Sequence, residues 1–204
     1  MIHHFFKGQA HRPVYLLLHG TGGTEHDLIP LAKQLDAQAS ILTVRGEVQE
    51  NGMSRFFKRI AEGVFDLEDL KLRTERLYMF IQEAAKQYQF SVEDVVLVGY
   101  SNGANIAANL LFEYGDVVRG AILHHPMVPQ RGKVVPDLNE MPIFIGAGIN
   151  DPLCSIQESE DLIQLLKEAG AEVHPHFENN GHTLTNTEVE AASQWVASQL
   201  KGEQ

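Results

Sequence analysis

The 204 residues contain a single cysteine, Cys154, so no internal disulfide can form. That usage suits a reducing cytoplasm, which is the expected location. Basic charge is scarce as well: 16 Lys and Arg stand against 27 Asp and Glu, for a formal net charge of -11. Such a surface repels nucleic-acid phosphates and anionic lipids, so neither nucleic acid nor a membrane is an expected partner. No apolar run approaches the roughly 18 residues needed to cross a bilayer. The opening MIHHFFKGQAHRP lacks a basic segment followed by a long apolar core and a small-residue cleavage site, so no secretory signal is expected. Repeats, linkers and low-complexity tracts are also missing. What is there, 44% hydrophobic and 21% charged residues, fits one domain over residues 1–204 with a sizeable core.

Short runs rich in Val, Ile and Leu recur at Val14 to Gly20, Ser40 to Gly46, Asp94 to Tyr100, Gly120 to Pro126 and Pro142 to Gly148. They are continuous rather than alternating, as strands covered on both faces of a parallel sheet should be. Helical periodicity fills the intervals. Leu67, Leu70, Leu77, Ile81, Ala84 and Tyr88 form one stripe on a long helix, and others are expected near Asp27 to Leu35, Asn102 to Tyr114, Ser155 to Ala169 and Thr185 to Leu200. The alternation predicts an α/β fold: a doubly wound, mostly parallel sheet with helices on both faces.

Chemistry in such a sheet sits at the carboxyl ends of the strands. At one of them stands GYSNGAN, Gly99 to Asn105, which matches G-x-S-x-G. This motif places a serine on a tight strand-to-helix turn, and the flanking glycines relieve the crowding there. Ser101 is the candidate nucleophile. The free N–H of Asn102 at the helix start can stabilise an oxyanion. A second donor is expected from HGTGG, His19 to Gly23, where Thr21 offers the first free amide and Gly22 is the competing choice; His19 is expected to brace the loop. A serine hydroxyl needs a base, itself oriented by an acid, and in this architecture the order is serine, acid, histidine. Asp151 follows PIFIGAG, and His182 follows the last strand-like run, EVHPHFENNGH.

Of the other histidines, His3, His4, His11, His26, His174 and His176 read as solvated or partly buried. LHHP leaves His124 and His125 as candidates for lining the pocket. No metal-ligand spacing is present, and no metal or cofactor is expected. Cys154 lacks an elbow and reads as a structural thiol. Arg55 and Phe56, in the segment from Glu47 to Phe65, together with Met127 and Val128, are candidate substrate contacts; Phe56 and Phe57 read equally well as anchors of that segment to the core. No insertion is long enough for a large lid.

The segments LLLHGTGG, VRG followed by ENGM and RFF, GYSNGAN, ILHHPMVP, GAGINDP and NNGH resemble the bacterial carboxylesterase/phospholipase group of α/β hydrolases, relatives of acyl-protein thioesterases. Within that group the chain is most similar to the short hydrolases associated with hydroquinone resistance. The resemblance implies an α/β-hydrolase fold and Ser101, Asp151 and His182 as a triad. It departs at Asn102, where many members carry glutamine. The implied activity is cleavage of small carboxylic esters through an acyl-enzyme. Thioester cleavage, lactone or dienelactone hydrolysis, and ligand binding without turnover stand as alternatives. A homodimer through an exposed helix or edge strand is compatible with the sequence.

Overall fold

The continuous apolar runs pair into one sheet, and the segments between them coil over its two faces. The computed structural model describes residues 1–200, so residues 201–204 of the expected domain lie outside the described residues. In chain order the elements are β1 (His3–Phe6), β2 (Val14–Leu18), α1 (Ile29–Leu35), β3 (Ser40–Val44), β4 (Val48–Glu50), β5 (Met53–Arg55), β6 (Arg59–Ala61), β7 (Val64–Phe65), α2 (Leu67–Tyr88), β8 (Val95–Tyr100), α3 (Asn102–Tyr114), β9 (Gly120–His124), β10 (Pro142–Gly148), α4 (Ile156–Glu168), β11 (Glu172–Glu178) and α5 (Asn186–Gln199). Seven strands form the sheet in the order β1-β3-β2-β8-β9-β10-β11. All pairs are parallel except β1 with β3.

Strands β2, β3, β8 and β9 are buried almost throughout because helices cover both faces. On one face Leu16, Leu18, Leu97 and Leu123 pack with Leu77 and Ile81 of α2, Ile106 of α3 and Leu162 of α4. On the other, Tyr15, Val96, Val98 and Phe144 meet Leu31 and Leu35 of α1 and Trp195 of α5. The five expected strands and five expected helices are present: α2, α3 and β10 keep their expected bounds, and the others fall one or two residues short at one end or both. The expected stripe on α2 is corrected at its start: Leu67 is 50% exposed, because it lies in the first turn where the helix has not yet met the sheet. No helix among the described residues is long and apolar enough to cross a membrane.

The segment from Glu47 to Phe65, for which the sequence predicts no strand or helix, forms two small hairpins, β4 with β5 and β6 with β7. They lie beside the carboxyl end of β2 and form no large lid. Asp66 ends the excursion by capping α2, its side chain accepting from the Asp69 N–H at 3.1 Å.

Candidate active site

Ser101 occupies the turn between β8 and α3 at φ 53°, ψ −115°, a left-handed conformation rare outside glycine. Two contacts hold it there: its N–H donates to the His124 carbonyl at 2.9 Å, and its own carbonyl accepts from Asn105 at 2.9 Å. The turn closes only because its neighbours are small. A β-carbon on Gly99 would lie 2.6 Å from the backbone of Ala104, and one on Gly103 would lie 1.9 Å from the Leu18 carbonyl oxygen.

Three loops bring the expected side chains together. The Ser101 hydroxyl donates to His182 Nε2 at 2.8 Å, and His182 Nδ1 donates to Asp151 Oδ2 at 2.6 Å. Asp151 Oδ1 accepts from the N–H groups of Leu153 at 2.8 Å and Cys154 at 3.0 Å. Burial raises the proton affinity of Asp151, but these bonds outweigh it and leave the carboxyl below its ordinary range. The Tyr100 hydroxyl donates to the His182 carbonyl at 2.5 Å and fixes the loop that carries the imidazole.

The two candidate oxyanion donors face the same turn. Gly22 spends its N–H on the Ser54 carbonyl at 2.9 Å, whereas Thr21 has no backbone acceptor among the described residues. Asn102 is the first residue of α3, so its N–H has no partner within the helix. His19 braces the Thr21 loop: it donates to the Gly20 carbonyl at 2.6 Å and accepts from the Gly46 N–H at 3.0 Å. Burial keeps that imidazole below its usual range, consistent with a neutral ring that both donates and accepts.

A cavity of about 310 Å³ opens above Ser101, with Arg55, Arg59, Phe65 and Met127 among its walls. Of the four candidate substrate contacts, Arg55 and Met127 line this cavity. Phe56 and Val128 do not, and their assignment as contacts is corrected: both are core residues, 3% and 5% exposed. The Phe56 ring turns inward against His19, at 4.7 Å between centroids, and only its backbone reaches the site, donating to Asn102 Oδ1 at 2.7 Å. Val128 turns into the core while its N–H donates to Glu158 at 3.1 Å.

The Cys154 thiol is buried, donates to the Pro126 carbonyl at 3.0 Å, and is pushed up to about 12 by burial, which makes it a structural group. His4, Glu25 and His26 converge elsewhere on the surface. Arg45 spans the Glu25 carboxylate, with Nη2 2.9 Å from Oε1, and puts a fixed cation beside the oxygen a metal would need.

Sequence reasoning missed a buried partner on α5, Glu188. Its Oε1 accepts from His124 Nδ1 at 2.5 Å, and its Oε2 lies 3.2 Å from His125 Nε2. His125 lines the cavity, as LHHP at a strand end suggested; His124 turns away from it toward α5.

The pattern of the dienelactone hydrolase family matches residues 33–201. The chain belongs to the dienelactone hydrolase family. MhqD of Bacillus subtilis (strain 168) is 55% identical over 195 residues, which span 96% of this chain and 97% of that protein. Among solved structures, the Bacillus cereus carboxylesterase superposes with a TM-score of 0.95 at 56% identity, covering 97% of this chain and 93% of that one. YahD, solved with malic acid, gives a TM-score of 0.93 at 30% identity, covering 97% of this chain and 98% of that one. Family membership and these likenesses identify an esterase-type hydrolase with an α/β-hydrolase fold.

Proposed function

We propose that the chain cleaves small carboxylic esters through an acyl-enzyme on Ser101. One observation carries the reading: a single imidazole, His182, lies 2.8 Å from a serine hydroxyl on a strained elbow and 2.6 Å from a carboxylate. Ser101 attacks the ester carbonyl as His182 takes its proton. Asp151 fixes the imidazole tautomer and balances the cation that forms. The N–H groups of Thr21 and Asn102 receive the developing oxyanion. His182 then returns the proton to the leaving alcohol, and water hydrolyses the acyl-enzyme by the same steps in reverse roles. Arg55 and Met127 contact the substrate from the cavity wall, and a cytoplasmic setting suits the single thiol.

A second reading, hydrolysis of a lactone of the dienelactone type, draws support from the family and from Arg55 and Arg59 on the cavity wall. It uses the same machinery on a cyclic ester. Turnover of p-nitrophenyl acetate and butyrate by wild type and Ser101→Ala, alongside a lactone panel, tests both. The substitution is expected to lower kcat by about 10⁴ or more. A fluorophosphonate probe is expected to label Ser101. An unchanged rate, or no labelling, overturns the proposal.

A further inference from the structure

His125 contacts two buried carboxylates at once. Its Nδ1 lies 3.0 Å from Asp151 Oδ2 and its Nε2 lies 3.2 Å from Glu188 Oε2. All three residues are nearly inaccessible: His125 is 1% exposed, Glu188 0% and Asp151 7%. A neutral imidazole carries only one N–H, so one of these two contacts would set a lone pair against a carboxylate unless a further proton is present.

The surroundings decide where that proton resides. Glu188 Oε1 receives His124 Nδ1, and Oε2 receives Asn180 Nδ2 at 3.2 Å in addition to His125. Asp151 Oδ1 receives two backbone N–H groups, and Oδ2 receives His182 as well as His125. His124 Nε2 is buried without a partner, so a hydrogen on that ring belongs on Nδ1, facing Glu188; every partner of the two carboxylates is then a donor, and a proton on either would have no acceptor to point at. It belongs on the His125 ring.

We propose that His125 is a positioning residue: a cation clamped between Asp151 and Glu188, it fixes the Asp151 carboxylate for His182 and offsets part of its charge. The inference rests on the Ser101, His182 and Asp151 reading above. Around this ring two carboxylates face one cation, and the proton that His182 takes from the serine adds a second positive charge beside Asp151. The other groups near the ring are the Tyr100 ring from β8, 5.9 Å away and edge-on, and His182, 5.1 Å between centroids; the Cys154 thiol, which burial keeps protonated, lines the same cavity, and His124 shares Glu188. Burial alone lowers the proton affinity of His125, but Glu188 and Asp151 outweigh it and raise it above the ordinary histidine value. Glu188, which burial would raise, is held down at about 2 by His124 and His125.

The backbone is set for this role. His125 adopts φ 53°, and its N–H donates to the Gly146 carbonyl at 2.7 Å. Gly146 also makes the room for Glu188, since a β-carbon there would lie 2.0 Å from Glu188 Oε1.

Two measurements test the proposal. In wild type labelled with ¹⁵N-histidine, both ring nitrogens of His125 are expected to be protonated across about pH 6 to 8, where an ordinary histidine loses a proton. A neutral ring at about pH 7 overturns the proposal. His125→Gln keeps one hydrogen-bond donor and removes the cation. With the carboxylates unshielded, the acidic limb of kcat/KM for p-nitrophenyl acetate is expected to move to higher pH by about 0.5 to 1 unit. The expected fall in kcat is about tenfold. A fall in kcat with an unmoved limb, as a purely structural role would give, overturns it equally. The ring spectrum needs neither the variant nor turnover, and Ser101→Ala separately reports whether the hydrolase reading holds.

Discussion

Glycine at position 103 is dictated by a distance. A β-carbon there would sit 1.9 Å from the Leu18 carbonyl oxygen, and a strand carbonyl cannot move aside without breaking the sheet. Gly103→Ala is expected to destabilise the fold by about 2 kcal/mol or more, read as a lower urea midpoint; an unchanged midpoint would show that α3 does not pack where described. This is why the elbow was legible in GYSNG: the steric demand lies within a few residues and leaves a local signature. Asp151 and His182 were legible for a related reason, each standing just past a strand-like run. Glu188 was not. T-x-x-E at Thr185 to Glu188 reads as a helix-capping box, and Thr185 does accept the Glu188 N–H at 3.1 Å. The Glu188 side chain turns inward instead, to partners some 63 residues away in the chain that no local pattern announces.

The first hairpin shows what an element adds beyond its residues. Three consecutive positions at its end grip the loops that carry both proposed oxyanion donors: the Ser54 carbonyl accepts from Gly22, Arg55 Nη1 donates to Thr21 Oγ1 at 2.6 Å, and the Phe56 N–H donates to Asn102 Oδ1. Asn102, where the carboxylesterase group often carries glutamine, is thereby tied to this strand. Asn102→Ala leaves the buried Phe56 N–H without its acceptor, at an expected cost of about 1–3 kcal/mol. Arg55→Met removes the bond to Thr21 while Glu50 keeps Arg59 at 2.8 Å, so no orphaned carboxylate results. Its kcat is expected to fall about tenfold with the circular dichroism spectrum retained. An undiminished kcat would show that Thr21 needs no such anchor. The hairpins escaped sequence reading because their strands are two or three residues long, interrupted by charge, and stabilised by docking onto the site rather than by their own apolar pattern.

Over the molecule, the parallel centre of the sheet was readable because burial on both faces requires unbroken apolar runs. Its borders were less so: β1 is four residues, HHFF, and β11 alternates between intermediate and exposed positions with Pro175 within it. The charge arrangement has a consequence for stability. Arg45 holds Glu25 below its usual range, Arg59 does the same for Glu50, and donors overcome burial at Asp151 and Glu188. Each is a carboxylate whose folded value lies below its unfolded one. Its contribution is therefore complete above about pH 4.5 and is lost as pH falls toward the folded value. His19, held neutral by burial, also favours folding above about pH 6.5 and loses that contribution below it, whereas His125, with a raised folded value, contributes below about pH 6.5 and loses it as pH rises through that value. His125 therefore acts only above about pH 6.5 and His19 only below it, so neither offsets the other, while the carboxylates act in one direction. The thermal midpoint is thus expected to be highest near about pH 6.5, to ease between about pH 6.5 and 5 as the His19 contribution is lost, and to drop steeply between about pH 4.5 and 2. Scans at low protein concentration avoid precipitation near the isoelectric point of 5.3. A midpoint that holds or rises into acid would mean that these carboxylates gain nothing from their partners in the folded chain.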